Sequence, residues 1–224
     1  MMQDPKARRH EPAAASGGTI KRLYDRMAPL YDVLNSFYEY GWKRRLRAVM
    51  FREARGRLLD VGVGTGCNMP FYPKGQPAVG IDLSPGMLAQ ARTRARALGI
   101  DVELRPMDLL RLDFPDDSFD TVAVTFVLLC LPDELQLPAL RELARVVRPN
   151  GQVLILDYHQ ASTRRAQIWA EVMSGFLRWA WVGRFDPATE RYIGAAGLRV
   201  EARRSFMGDL VTMLTLRRDP GKAL

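Results

Sequence analysis

Three acids and three glycines carry the strongest chemical signal in this sequence. Residues 57–68 read R-L-L-D-V-G-V-G-T-G-C-N: an apolar run ends at Asp60, and Gly62, Gly64 and Gly66 follow at alternate positions. A strand that breaks into a glycine turn lets a ligand approach the backbone closely. The spacing selects among ligands. A dinucleotide fingerprint is G-x-G-x-x-G, because its helix N-terminus must receive a pyrophosphate. Here Cys67 stands where the third glycine would fall. A phosphate-binding P-loop ends in Gly-Lys-Ser/Thr, and the chain contains no such run. Glycines so spaced also form turns that hold nothing, so the motif needs support from elsewhere.

That support comes from the ends of the next apolar runs. Asp82 follows Asp60 by 22 residues and closes the second run, where a carboxylate can accept hydrogen bonds from both hydroxyls of a ribose. Met107 and Asp108 close the third, an apolar side chain and an acid suited to an adenine ring and its exocyclic amine. Thr125 and Phe126 close the fourth. Asp60, read as an unprotected acid, argues against a pyrophosphate and tolerates a cation. Taken singly, each acid is a common turn or cap residue. Their succession describes a pocket for a phosphate-free adenosine that carries positive charge, and S-adenosylmethionine has those features.

The elements that must position these residues alternate. Residues 58–63 and 78–83 read as buried strands, 101–106 as a short strand, and 120–127, apolar and β-branched, as a central parallel strand. Residues 85–98 read as a helix with Ser84 as N-cap and Pro85 in the first turn. Residues 137–147 have helical spacing and stop before Pro149-Asn150-Gly151, and a fifth strand follows over 152–158. Strands alternating with helices imply an α/β, Rossmann-like architecture: a mostly parallel sheet with helices on both faces. The C-terminal end departs from this rule. Strands over 198–206 and 210–217 are separated only by Met207-Gly208-Asp209, which predicts an antiparallel hairpin.

Four segments taken in order, L-L-D-V-G-V-G-T-G, V-G-I-D-L-S-P-G-M-L, M-D-L-L-R-L-D-F-P-D-D-S-F-D and R-V-V-R-P-N-G-Q-V-L-I-L-D, resemble the successive motifs of class I S-adenosylmethionine-dependent methyltransferases. The resemblance covers about residues 20–218. It implies a seven-stranded sheet with one reversed strand near an edge, which agrees with the hairpin. It also implies that Asp60, Gly62, Gly64 and Gly66 contact the methionine portion of the cofactor and that Asp82 takes the ribose. Leu83, Met87, Met107, Asp108 and Leu109 would surround the adenine, with Thr125 nearby. These motifs do not identify the methyl acceptor.

Three features outside them bear on the acceptor. In T-I-K-R-L-Y-D-R-M-A-P-L-Y-D, Ile20, Leu23, Tyr24 and Met27 form a helical stripe beside Lys21, Arg22 and Arg26, a pattern that suits a membrane interface or packing on the domain itself. In G-W-K-R-R-L-R-A-V-M-F-R, Trp42, Leu46, Val49 and Met50 form a second stripe, beside Lys43, Arg44, Arg45, Arg47 and Arg52; a solvated face is the common explanation for such a charge run. Residues 164–185 carry Trp169, Phe176, Trp179 and Trp181 with Ile168, Val172, Met173 and Leu177, an apolar surface wider than one packed stripe needs. It reads either as buried core or as a headgroup-level contact, since Trp beside Arg suits that boundary. The division expected is a disordered tail over 1–18, amphipathic helices over 19–56 and a catalytic domain over 57–224 with the Trp-rich insert.

Taken together these features favour an apolar acceptor presented at an anionic membrane. Y-D-R-M-A-P-L-Y-D is similar to the ubiquinone/menaquinone methyltransferase group. Together with the compact length and D-Y-H after the fifth strand, it is similar above all to the bacterial phosphatidylethanolamine N-methyltransferases of the Rhodobacter type. An ethanolamine ammonium has no lone pair and must lose a proton before attack. Tyr158 is the first candidate to orient that amine, His159 a candidate proton relay or a simple backbone partner, and Tyr24 and Tyr31 further hydroxyls. C-methylation of a quinone precursor, an RNA methyltransferase and a non-catalytic binding module remain as alternatives.

Composition sets the outer bounds. The 224 residues are 47% hydrophobic and 26% charged, as in an ordinary globular domain. The net charge of +8 draws the chain to polyanions, and basic residues interleaved with Trp and aliphatics suit lipid better than nucleic acid. Cys67 and Cys130 form no metal-ligand spacing and imply a reducing compartment, and no metal site is expected. No signal peptide and no apolar run of about 18 residues is present, so the expected location is cytoplasmic, peripheral on the inner face of the cytoplasmic membrane. A monomer is the expected state.

Overall fold

The computed structural model describes residues 39–159 and 189–222. Seven strands form one sheet in the order β3-β2-β1-β4-β5-β7-β6. They are β1 (Leu58–Val61), β2 (Ala78–Asp82), β3 (Glu103–Pro106), β4 (Phe119–Thr125), β5 (Val147–Tyr158), β6 (Leu198–Phe206) and β7 (Val211–Arg218). The first five pair in parallel, whereas β7 runs antiparallel to both β5 and β6. The C-terminal hairpin therefore forms as its sequence predicts, and the reversed strand is β7, one place in from the edge.

The two faces of the sheet are covered by different helices. Alternate strand residues Leu59, Val61, Val122, Val124 and Ile155 pack with α3 (Asp133–Val146) through Ala139, Leu140 and Leu143. The opposite parity, including Leu58, Ala123, Leu154 and Leu156, packs with Leu46, Met50 and Phe51 of α1 (Arg44–Phe51). A period of two along each strand thus sorts side chains to two cores. Helix α1 belongs to the same core as β1, and the stripe of Leu46 and Met50 is buried as its spacing predicts.

Helix α2 (Pro85–Leu98) follows its caps closely. The Ser84 hydroxyl accepts from the Met87 N–H at 3.1 Å, and Gly99 ends the helix at φ +63°. A short helix α4 (Thr189–Tyr192) precedes β6.

Most strand ends fall within about two residues of expectation, and two boundaries differ by more. Helix α3 starts at Asp133, with Pro132 at its N-cap position, rather than at 137. Strand β5 begins at Val147, directly after α3, and runs through Pro149-Asn150-Gly151. Those three residues do not stop the strand. They lie where the register shifts, since Val147 pairs with Phe119 and Gln152 with Thr121. A bulge absorbs the proline and the glycine. A side chain at Gly151 would meet the Asp120 carbonyl oxygen at 2.9 Å.

The segments 1–38 and 160–188 lie outside the described residues. The tail, the first amphipathic helix with Tyr24 and Tyr31, and the Trp-rich insert fall there.

Candidate active site

The carboxyl ends of β1 to β4 open into a cavity of about 280 Å³. Its wall includes Gly62, Gly64, Asp82, Leu83, Met87, Met107, Asp108, Leu109 and Thr125, nine of the residues expected to hold the cofactor. They reach it from successive strand ends, as the topology of an open parallel sheet requires.

The glycine turn is shaped for close approach. Gly62, Gly64 and Gly66 all have positive φ. Each nevertheless has its own packing. A side chain on Gly62 would collide with Val127, and one on Gly66 would meet the Met69 sulfur at 2.8 Å. At Gly64 the nearest neighbour of such an atom is the Gly62 carbonyl oxygen at 4.0 Å, so this glycine presents open backbone to the cavity. Gly66 does not line the cavity and acts from behind the turn. Cys67 does line it, and the Arg94 guanidinium donates to its sulfur at 2.9 Å.

Asp82 anchors the turn as well as the wall. Its Oδ2 accepts from the Gly64 N–H at 2.9 Å and its Oδ1 from the Ser84 N–H at 2.8 Å. The carboxylate therefore sits between the two loops that a nucleoside would bridge. Met107, Leu109 and Met87 supply apolar surface for a base, and Asp108 is exposed beside them. Cradle, ribose acid and apolar slot fit S-adenosylmethionine.

Asp60 departs from its expected place. It is 0% exposed, and it is not part of the cavity wall. The Asn68 amide donates to both of its oxygens at 2.9 Å, and the Tyr72 hydroxyl donates to Oδ2 at 2.5 Å. Burial raises its pKa to about 6, against the opposing pull of these donors and of Arg47. The acid is thus shielded by neighbours that only the fold brings together, and it acts on the turn rather than as an open counter-ion.

The β4 end adds residues that the motifs did not mark. Phe126 has φ +56°, uncommon for a bulky side chain, and lines the cavity. Its ring contacts Trp42 edge-on at 6.1 Å between centroids and Tyr158 at 5.4 Å. Lys43 Nζ lies 4.8 Å from its centroid and Arg47 Cζ 5.4 Å. Both cations line the cavity. Arg47 is only 7% exposed and donates to Asn68 Oδ1 at 2.5 Å. A wholly solvated basic face is therefore corrected: Arg44, Arg45 and Arg52 are exposed, but Lys43 and Arg47 turn inward. Helical spacing hinted at this, because Arg47 neighbours Leu46 on the buried side.

Of the proposed acceptor residues, Tyr158 stands next to the cavity rather than on its wall, with its ring packed on Phe126 and, at 6.4 Å, on Trp42. His159 does not line the cavity, and its Nδ1 lies 3.3 Å from Glu190 Oε1. The sequence motifs assign Asp157 no role. It is buried, and its carboxylate accepts from the N–H groups of Leu129 and Tyr158 at 3.1 and 2.8 Å. Burial raises its pKa to about 7, offset in part by these bonds and by Lys43. Among the described residues, no cluster of His, Cys, Asp and Glu could hold a metal ion.

Comparison with known proteins gives the same assignment. Residues 58–151 match the family described as "Methyltransferase domain". The phosphatidylethanolamine N-methyltransferase of Cereibacter sphaeroides is 40% identical over 142 residues, covering 62% of this chain and 68% of that protein. The demethylmenaquinone methyltransferase of Thermus thermophilus is 36% identical over 143 residues, covering 61% and 64%. Among solved structures, the [4+2]-cyclase SpnF superposes with a TM-score of 0.72 at 21% identity, over 94% of this chain and 98% of that one. The last match concerns the fold alone, since one fold hosts many chemistries. Cavity, motifs and relatives converge: this chain belongs to the class I S-adenosylmethionine-dependent methyltransferases, with S-adenosylmethionine as its methyl donor.

Proposed function

We propose that the chain methylates the amine of phosphatidylethanolamine, stepwise toward phosphatidylcholine, at an anionic membrane surface. The observation that carries this proposal is the aromatic wall beside the donor cavity: Phe126, Trp42 and Tyr158 in mutual contact, with an ammonium already held over the Phe126 ring. Aromatic faces attract alkylammonium groups, and they keep doing so as methyl groups replace protons. The 40% identity to a phosphatidylethanolamine N-methyltransferase supports the same acceptor.

The chemistry asks little of the protein beyond alignment. The donor supplies a methyl carbon already activated by its sulfonium, and the amine's lone pair displaces a neutral thioether. Before each of these attacks the ammonium gives up one proton. Tyr158 would orient the amine through its hydroxyl. A relay by His159 would need the imidazole to leave Glu190. Tyr24 and Tyr31 remain proposed hydroxyls on the segment before residue 39.

No helix among the described residues is long and apolar enough to cross a membrane. We propose, from the basic net charge of +8, that the acceptor encounter is a peripheral contact on the inner face of the cytoplasmic membrane, with lipid rather than nucleic acid as partner and a monomer as the working unit.

C-methylation of a quinone precursor is the second reading, favoured by the 36% identity to a demethylmenaquinone methyltransferase. The deciding experiment incubates the full chain with labelled donor and, separately, phosphatidylethanolamine vesicles, a demethylated quinone and RNA. Label in mono-, di- and trimethylated lipid is expected. Label in the quinone or RNA alone would overturn the proposal, and label in none would favour a binding module.

A further inference from the structure

Two buried side chains on different elements grip one stretch of the cavity wall from behind. The Phe126 N–H donates to the Leu156 carbonyl oxygen at 2.8 Å, the last backbone bond that β4 makes with β5. Beyond it the chain leaves the sheet and makes a 3-10 turn over Leu128–Cys130. Val127, Cys130 and Leu131, on and around this turn, line the cavity beside Phe126. Leu128 is 0% exposed, so the turn is buried where the sheet no longer supplies partners for its backbone. Buried N–H and C=O groups need such partners.

The two sides of the turn are held separately. On the N–H side, the Asp157 carboxylate of β5 accepts from Leu129 at 3.1 Å and from Leu128, and also from its neighbour Tyr158 at 2.8 Å. On the C=O side, the Gln136 amide nitrogen of α3 donates to the carbonyl oxygens of Leu128 at 2.7 Å and Leu131 at 3.2 Å. The Gln136 amide oxygen accepts from the Thr189 hydroxyl of α4 at 2.8 Å, which fixes the direction of the nitrogen. Each residue type fits its side, since a carboxylate only accepts and an amide nitrogen only donates. Neither residue lines the cavity.

We propose that Asp157 and Gln136 are positioning residues for methyl transfer. By holding the Leu128–Cys130 turn from opposite sides, they set the wall of Phe126, Val127, Cys130 and Leu131 against which donor and acceptor align. The residues that fit the nucleoside, Asp82, Met87 and Met107, come from β2, α2 and the end of β3. Loosening the turn therefore leaves the donor's anchors in place and disturbs the alignment. A misplacement of about 1 Å costs on the order of 10²-fold in rate.

The test compares Gln136→Met, which keeps the bulk and removes the donor, and Asp157→Asn, which keeps the shape and loses one acceptor, with the unaltered full chain. Calorimetry with S-adenosylhomocysteine gives donor affinity, and labelled donor with phosphatidylethanolamine vesicles gives kcat. If the unaltered chain labels the demethylated quinone instead, kcat is measured there, so failure of the acceptor reading leaves this test standing. Affinity is expected to stay within about threefold while kcat falls about tenfold or more. Because both residues hold one turn, the double variant should lose little more than the worse single variant. Unchanged kcat with a lowered denaturation midpoint would overturn the proposal, since the pair would then only stabilise the fold. Losses that multiply in the double variant would overturn it too. If Asp157→Asn fails to fold, Gln136→Met decides alone. Hydrogen exchange needs no acceptor: in Gln136→Met the Leu129 amide should exchange faster relative to the amides of β4, although the substitution touches only the carbonyl side. Unchanged relative exchange would mean that the two grips are independent, against the proposal.

Discussion

The Asn68 side chain bridges Arg47 and Asp60: its oxygen accepts from the guanidinium, and its amide nitrogen donates to both carboxylate oxygens. One residue of the glycine turn therefore links α1 to β1 without facing the ligand. Asn68→Ala removes both contacts and leaves a buried acid and a buried cation short of a partner. The expected loss of stability is about 1–3 kcal/mol. Donor affinity should fall with it, because the turn loses its brace. Denaturant titration and calorimetry on the same protein check the two effects.

Asp157 and Asp60 predict an unusual pH profile. Their folded pKa values are raised to about 7 and about 6, from an ordinary value of 3.8. Between about pH 4 and pH 7 the native state thus retains protons that the unfolded chain has released, so these two groups lower stability as pH rises through that window. Above it their effect is constant. Asp157→Asn should flatten the upper part of the profile, becoming relatively more stable as pH rises. Denaturation midpoints across the window measure this. A difference between the two proteins that did not change with pH would refute the assigned ionisation.

Gly62 and Val127 offer a test of the turn. Gly62→Ala places a methyl group against Val127 and forces a side chain into φ +67°. The expected cost is roughly 1–3 kcal/mol, part steric and part conformational. Val127→Ala relieves the first part only, so the double variant should recover some stability but not all. Full recovery would mean that the backbone there carries no strain.

Tyr158→Phe separates hydroxyl from ring. The aromatic contacts with Phe126 and Trp42 survive the change. Donor affinity should be unaffected, while turnover on ethanolamine lipid should fall about tenfold or more, the order of one hydrogen bond to a developing charge. Turnover near that of the unaltered enzyme would reduce Tyr158 to a packing residue and leave Phe126 as the aromatic group that meets the acceptor.

Local chemistry was legible in the sequence wherever it was self-contained. Ser84 and Pro85 open α2 as their types require, and Met207-Gly208-Asp209 turns the hairpin. Nine of the residues on the cavity wall were readable because a parallel sheet delivers successive strand ends to one edge. What escaped depends on partners far apart in the chain. Nothing near Asp60 in sequence announces that Tyr72 and Arg47 will close over it. Pro149-Asn150-Gly151 reads as a stop because only the neighbouring β4 allows it to be a bulge. Asp157 looks like an ordinary strand residue until the turn over Leu128–Cys130 is folded onto it.

The left-handed backbone at Phe126 has a consequence for selection. A side chain at this φ costs about 1–2 kcal/mol, which glycine would not incur. A library screened only for heat resistance should therefore enrich Gly or Asn at position 126. Those survivors would lose the ring against which Trp42, Tyr158, Lys43 and Arg47 are arranged. Robustness and methyl transfer would then be optimised by different residues at one site, and a screen for both at once should return Phe.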